Sequence, residues 1–486
     1  MTANDINIRH PSAEEILAAA PPLRDEPGAR ERIRAAHAAA GRRIAVLDDD
    51  PTGSQTVHDV AVVTVFEADE YAAGLAAPGS TCFILTNTRS LPEDTAVEMN
   101  TGISASLFAL GQSLGGPMEV VSRSDSTLRG HVVAEIAAID AARRRVTGAG
   151  FDGVLLIPCF FEAGRFTAGD IHWANVSGQP MPAGDTEFAQ DSTFGFTSSN
   201  LRDFIAEKSR GTITRDEVHS ISLDDIRLGG TARVAEILGA VSGGAFVVVN
   251  ATDYADLEIV VLGLLEAQDR GKSFGYRCGP SFPRALAGLE PQDPLSAAQI
   301  WPTGRPGGQG LVVVGSHVGL TSRQVAKAQE RGGLAETELH VPTLLDPERR
   351  DAHVADIGRQ IAEALATSDV MLFTSRTLMR GGDADDSLAI SRTVSTAVIE
   401  VVRAALAARP AWVVAKGGIT SHDVAVRGLG IRRAEVIGQL FPGMVSVFRP
   451  IEAAPEAVGT PYVVFAGNVG DDETLADVVD LFAGRR

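Results

Sequence analysis

The chain has 486 residues, too long for one hydrophobic core, so two or more domains are expected. Its 44% apolar content fits an ordinary globular protein, and its net charge of -19 disfavours nucleic acid or an anionic membrane surface as the main partner. Cys82, Cys159 and Cys278 lack metal-ligand spacing, the Asp5 to Glu15 region has no signal-like apolar run, and no segment is apolar enough to span a bilayer, so a cytoplasmic protein with reduced cysteines is expected.

Residues 1–43 read as a helical extension. Ser12 and Glu15 have capping-box spacing, and an Ala/Arg-rich helix is predicted over 29–40. Such an extension suits packing or an oligomer contact, which leaves a homodimer open. The stretch 44–55 comes next, and the rest of the chain is organised around it. Its apolar run, Ile44-Ala45-Val46-Leu47, ends in Asp48, Asp49 and Asp50 before Pro51-Thr52-Gly53 turns the chain. Short apolar runs bounded by Pro and Gly read as buried parallel strands, and open α/β sheets bind ligands beyond the carboxyl ends of such strands. Three adjacent carboxylates repel one another unless a cation, donors or a hydroxyl-rich ligand shares the site. The plain alternative is a solvated acidic turn.

Further strands are predicted at 60–66, 81–86, 118–121 and 153–157, with helices at 69–75, 92–114 and 131–145. This alternation implies right-handed crossovers and an α/β fold of two domains with largely parallel sheets. Residues 160–200 form a long polar segment carrying Arg165, His172, Asp185, Glu187 and Asp191, and its Phe and Trp content predicts an ordered flap. A strand is predicted after it, at 246–249. Prolines from Pro280 to Pro306 then change the texture of the chain. The boundary is set at a linker over 286–310, between a substrate domain (44–285) and a nucleotide-binding domain (311–486).

The C-terminal part repeats one pattern three times. A strand at 311–314 runs into Gly315-Ser316-His317-Val318-Gly319. Another at 412–415 runs into Lys416-Gly417-Gly418-Ile419-Thr420-Ser421, and a third at 462–465 into Ala466-Gly467-Asn468-Val469-Gly470. Strand, glycine turn and helix together let backbone N–H groups approach a phosphate. Neither a Walker A loop nor the six-residue dinucleotide fingerprint is present. Lys416 either neutralises phosphate or lies on the surface. The acidic group at 383–386 reads as a helix cap rather than a metal site, and 394–407 as helix core.

In the loop after residue 121, alternation places Arg123 and Asp125 on one face, where a mutual salt bridge is the plain explanation. Arg129 stands at the entrance of the 131–145 helix, where the dipole disfavours a cation. Joined to a helix N-terminus, however, an arginine makes a receptor for a carboxylate or phosphate, with Arg89 as a second arm. Such arginines would hold the acid end of a small polyhydroxy acid, while Asp49, Asp50 or Asp125 accept from its hydroxyls. One carboxylate would orient an attacking hydroxyl, and Mg²⁺ usually accompanies such phosphoryl transfer.

These motifs resemble the four-carbon acid-sugar kinases, which include the 3-oxo-tetronate and D-threonate kinases. Asp49-Asp50-Pro51-Thr52-Gly53 is similar to the family's acidic turn, and Asn87-Thr88-Arg89-Ser90 to its Asp-Ser-Arg-type loop. Arg123-Ser124-Asp125-Ser126-Thr127-Leu128-Arg129-Gly130 matches its most specific loop. The region from Pro158 through Gly164-Arg165 to Glu187 and Asp191 resembles its middle part. Gly315-Ser316, Gly417-Gly418-Ile419-Thr420 and Gly467-Asn468-Val469-Gly470 follow the order of its ATP loops. The resemblance implies that Asp49 and Asp125 are catalytic. It implies a sugar acid held by Asp50, Arg89, Arg123, Asp125, Ser126, Arg129, Gly130 and Arg165. ATP would be held by Gly315, Ser316, Lys416, Gly417, Gly418, Ile419, Thr420, Gly467, Asn468 and Gly470, with the active site in the interdomain cleft.

The departures are Arg123 in place of lysine, His131 after the glycine, the extra Asp48, His317-Val318 in place of Cys-Ser, and Ile419 in place of a frequent Glu. Two rival readings are weighed. A nicotinamide-dependent sugar-acid dehydrogenase lacks its glycine fingerprint and ribose-binding acid. A sensor that binds sugar acid and nucleotide without turnover is opposed by the intact Asp125 to Arg129 loop.

Overall fold

The computed structural model describes residues 12–50, 52–305, 307–376, 379 and 384–485. Asp5, Pro51, Pro306 and Asp383 lie outside the described residues. The chain divides into two compact units: residues 1–49, 77–80 and 88–290 form the first, and residues 50–76, 81–87 and 291–486 the second.

The first unit is built on six parallel strands in the order Arg43–Asp48, Met118–Arg123, Phe274–Cys278, Gly153–Ile157, Ala245–Val249 and His219–Ile221. Ile44 to Leu47 and Gly153 to Ile157 are buried along their whole length, as expected for strands covered on both faces by crossover helices. The flanking helices include Glu93–Ser113, Val132–Thr147 and Tyr254–Asp269. Asp48, Arg123, Cys278 and Ile157 lie in register at one end of four neighbouring strands. That end is the carboxyl end, where the sequence places its charged loops.

Among the described residues before 43 there are two helices, Ala13–Ala19 and Ala29–Ala39, and the Ser12–Glu15 capping box closes as predicted. The second packs on the first unit. Ile33 is buried, Arg30 pairs with Glu258 at 2.7 Å, and His37 Nε2 donates to the Leu286 carbonyl at 2.7 Å. Burial lowers the His37 pKa to about 4. Below the ordinary value of 6.5 the unfolded chain takes up a proton that the folded chain refuses. Stability is therefore expected to fall from pH 6.5 towards 4, by about 1.4 kcal/mol per pH unit for this one group. Urea unfolding across that range checks this, and His37→Gln should flatten the slope.

The second unit has five parallel strands in the order Leu334–Leu339, Asp369–Thr374, Leu311–Val314, Val413–Lys416 and Tyr462–Phe465. Beyond them comes an antiparallel hairpin that the sequence reading does not anticipate, Arg433–Phe441 with Met444–Glu452. Val60–Val63 pairs antiparallel with Arg433–Phe441, and Thr81–Leu85 parallel with Val60–Val63. These ladders are why 50–76 and 81–87, assigned by sequence to the 44–285 domain, belong by contact to the second unit. The 286–310 stretch contains the junction at 290/291. Its later part is core rather than linker: Leu295, Ile300 and Trp301 are buried, with Trp301 edge-on to Phe482 at 5.2 Å.

Cys82, Cys159 and Cys278 are free and buried. Among the described residues no helix is long and apolar enough to cross a membrane.

Candidate functional site

At the carboxyl end of the first unit's sheet, the charges predicted to form a solvated turn or a ligand site are buried and matched. The first strand runs one residue further than predicted, so Asp48 is its last position and is fully buried. Arg123 ends the neighbouring strand, and its Nη1 reaches Asp48 at 2.7 Å and Asp49 at 3.8 Å. Arg89 grips Asp49 with a two-pronged fork, Nη2 to Oδ1 at 2.6 Å and Nε to Oδ2 at 3.2 Å. Asp125 accepts from Arg129 Nε at 2.7 Å and from Thr127 Oγ1, and Arg89 lies 3.8 Å away. Burial alone would raise the Asp125 pKa, but Arg89 and Arg129 hold it well below the usual carboxylate range.

Arg165 differs from the other arginines. Its Nη1 donates to Ser126 Oγ at 2.7 Å, and among the described residues its buried Nε has no acceptor and no carboxylate forms an ion pair with it. Burial lowers its pKa, Asp125 raises it, and Arg129, Arg123 and Arg89 lower it further. The guanidinium lies 5.5 Å from the Phe188 ring centre and 5.9 Å from that of Phe160, and Arg129 approaches Phe188 at 5.4 Å. Arg129, read from sequence as the anion clamp, pairs with Asp125, with Asp191 at 3.6 Å.

The 160–200 segment is ordered, as its aromatics predict. It carries a small antiparallel sheet of Phe166–Ala168, Ile171–Val176 and Gln179–Pro182. Ala183, Ala189 and Phe196 share a core with Leu128 and Val132, which fixes the segment against the arginine loop. His172, fully buried, donates from Nε2 to the Ser126 carbonyl at 2.8 Å.

Sequence reasoning missed Arg277, on a strand it did not name. Arg277 is buried, pairs with Glu135, and donates to the Arg129 carbonyl at 3.3 Å. One charge inside the run Phe274-Gly275-Tyr276-Arg277-Cys278 was the available signal. Gly130 has φ +111°, and a Cβ there would lie 2.7 Å from Arg277 Nη2 and 3.4 Å from Asp49 Oδ2. Gly130→Ala is therefore expected to cost about 1–3 kcal/mol in backbone strain alone, plus displacement of Arg277. A urea midpoint equal to that of the unaltered protein would refute this.

In the second unit, the three glycine turns come together. A Cβ on Gly315 would collide with Thr420 Oγ1, one on Gly417 would lie 3.0 Å from Ser316 Cβ, and one on Gly467 2.7 Å from Ser316 Oγ. Gly417 also needs its φ of +123°. Thr321 Oγ1 donates to the Gly467 carbonyl at 2.8 Å and ties the third turn to the first. Ile419 is 69% exposed, Asn468 is exposed and Gly470 half-buried. Gly418 is half-buried at the start of the Gly418–Asp423 helix. Beside the turns lies a cavity of about 180 Å³, lined by Gly315, His317, Val341, Val394, Val398 and Ile419. Val394 and Val398, read as plain helix core, line this cavity.

Among the described residues Lys416 is neither on the surface nor paired with an acid. It is fully buried, donates to the Ala466 carbonyl at 2.7 Å, and sits 3.6 Å from the Phe465 ring centre. Burial lowers its pKa to about 7. Asp50, grouped with Asp49 in the sequence reading, belongs to this second unit. Its carboxylate accepts from Thr52 N at 2.8 Å and Thr52 Oγ1 at 2.5 Å, and its charge acts on buried His422. Among the described residues no three His, Cys, Asp or Glu side chains are grouped to hold a metal ion.

Comparison with known proteins matches residues 44–286 to a sugar-binding N-terminal domain and residues 311–475 to a nucleotide-binding C-terminal domain. A D-erythronate kinase of Heliobacterium modesticaldum is 26% identical over 280 residues, 56% of this chain. The match spans 57% of that relative's length. Two solved structures share the fold. One is a Haemophilus influenzae protein of the DUF1537 family (TM-score 0.62, 17% identity, 90% of this chain and 99% of that one). The other is a Salmonella typhimurium LT2 protein provisionally described as a tRNA synthase (TM-score 0.67, 16% identity, 90% and 98%).

Proposed function

The chain belongs to the four-carbon acid-sugar kinase family, and on that premise we propose that it transfers the γ-phosphoryl group of ATP to the terminal hydroxyl of a four-carbon sugar acid such as D-erythronate. The observation that carries this reading is the unequal matching of the clustered arginines. Arg89, Arg123 and Arg129 each have a carboxylate partner, whereas Arg165 beside them has none among the described residues. One cation uncommitted among the described residues, next to Asp49 and Asp125, suits a ligand with one carboxylate and several hydroxyls. Arg165 takes the carboxylate and the aspartates accept from hydroxyls.

In the reaction the terminal hydroxyl oxygen bonds to the γ-phosphorus as the bond to ADP breaks. Asp125 or Asp49 orients that hydroxyl and receives its proton. Positioning and charge neutralisation supply most of the acceleration in such transfers. ATP lies on the turns at Gly315, Gly417 and Gly467, with the apolar cavity at Val394 and Val398 taking the base. Mg²⁺ enters with ATP as part of that substrate, in keeping with its usual preference for phosphate oxygens over an all-protein cage.

Arg165→Met tests the assignment of the acid. Calorimetric titration with D-erythronate and its four-carbon isomers should show affinity reduced about thirty- to hundredfold, the worth of one charge-assisted pair. Mg-ATP affinity should stay the same. Unchanged affinity for every acid that the unaltered protein binds would remove Arg165 from the site.

A further inference from the structure

The second unit contains an arginine that sequence reasoning passed over. Arg376 comes just after the strand Asp369–Thr374, whose neighbour Leu311–Val314 leads into the Gly315-Ser316 turn. The two chain segments are tied where they leave the sheet, His317 Nε2 donating to the Ser375 carbonyl at 3.0 Å. The Arg376 guanidinium donates from Nη2 to Ser322 Oγ at 2.8 Å. Its Nε and Nη1 are buried, and among the described residues they have no acceptor and no carboxylate is near enough to offset the burial.

Ser322 lies in the first turn of the helix Gly319–Arg331. That helix starts at Val318 without a side-chain cap and has no acidic residue in its first turn. A protein built only for stability would put an acid there, because the helix N-terminus is positive and its first N–H groups lack partners. Here stands a cation with two donors unmet among the described residues. Buried donors left unpaired are destabilising. An anion placed between Arg376 and the helix start would answer both the guanidinium and the uncapped N–H groups.

We propose that Arg376 is a phosphate-binding residue of the nucleotide site, holding the ATP polyphosphate together with the start of the Gly319–Arg331 helix. This rests on the reading of the second unit as the ATP-binding part. Its guanidinium is a fixed fork with donors to spare, which suits phosphate oxygens better than an ammonium does. Charge that spreads over the transferring phosphoryl group would be stabilised there without any part moving.

The experiment compares Arg376→Gln with the unaltered full-length protein by calorimetry, using Mg-ATP and adenosine, and by thermal unfolding without ligand. The expected result is Mg-ATP affinity lowered about ten- to hundredfold, from the loss of one or two charge-assisted hydrogen bonds. Adenosine affinity should be unchanged, and the ligand-free unfolding temperature equal or higher, because an unpaired buried cation has gone. Unaltered Mg-ATP affinity would overturn the proposal. So would equal losses for ATP and adenosine with a lower unfolding temperature, which is the behaviour of a structural arginine. Failure of the unaltered protein to bind Mg-ATP would instead overturn the nucleotide reading on which the proposal rests.

Discussion

Asp125→Asn is expected to destabilise the first unit by about 3–5 kcal/mol, the usual result of removing one partner from a buried ion pair. The shape is conserved, so the effect isolates charge. Asp125 is the anion that Arg129 touches at 2.7 Å and Arg89 approaches at 3.8 Å, and its field also reaches Arg165. Without it, three guanidinium groups share a buried site with one carboxylate fewer. The pH dependence has a definite sign. Because the folded pKa is depressed, the stabilisation is fully present above the unfolded value of 3.8 and is lost as pH falls below it. Acid unfolding of the unaltered protein should therefore steepen below pH 3.8, and Asp125→Asn should lack that component. A urea midpoint within experimental error of the unaltered protein would show that the arginines do not depend on this carboxylate. Phosphoryl transfer should fall with it, since the ionised carboxylate is the group assigned to the attacking hydroxyl.

Lys416→Met is expected to do the reverse to stability while abolishing the response to Mg-ATP. Lys416 is buried, with one carbonyl and one ring for company, and burial lowers its pKa to about 7. The unfolded side chain, at 10.5, holds a proton that the folded one releases between pH 10.5 and 7. Its contribution is thus present above 10.5 and lost as pH falls through 7. At neutral pH this cost is no more than about 5 kcal/mol. Met fills a similar volume without a charge, so the ligand-free protein should unfold at a higher temperature. A phosphate favours the charged form, so ATP affinity in the unaltered protein should weaken as pH rises above 7, by up to about tenfold per unit. In Lys416→Met that dependence should be flat and the affinity low. Retained, pH-dependent ATP affinity would place Lys416 outside the site.

Much of the fold was legible because the chain alternates plainly. The strands at Gly153–Ile157, Leu311–Val314 and Tyr462–Phe465 fall where apolar runs stop at Gly, Pro or charged residues. The hairpin around Pro442-Gly443 was not read, although a Pro-Gly pair between two extended runs is a turn signal. An expectation of parallel strands passed over it, and with it the ladder that draws Val60–Val63 into the second unit. In the first unit, the loop charges identified the right neighbourhood but not the right pairs. Which arginine meets which carboxylate depends on strand register, such as Asp48 opposite Arg123, and no local pattern encodes that. Arg165 and His172 come to the Ser126 loop through the fold of the 160–200 segment, from about 40 residues away in sequence. Lys416, which the sequence puts in the glycine turn, is the last residue of the strand Val413–Lys416, and its burial depends on Phe465 and Ala466, which belong to a different strand and turn.

The most direct measurement is coupled ADP release by the full-length protein supplied with Mg-ATP and, in turn, each four-carbon sugar acid. The expected result is ADP formed with one acid or a few stereoisomers and not without acid, together with a phosphorylated product in equal amount. No ADP with any of these acids, although the protein binds both acid and nucleotide, would contradict the kinase reading and leave a sensor. A change in nicotinamide absorbance with the same acids would contradict it in favour of a dehydrogenase.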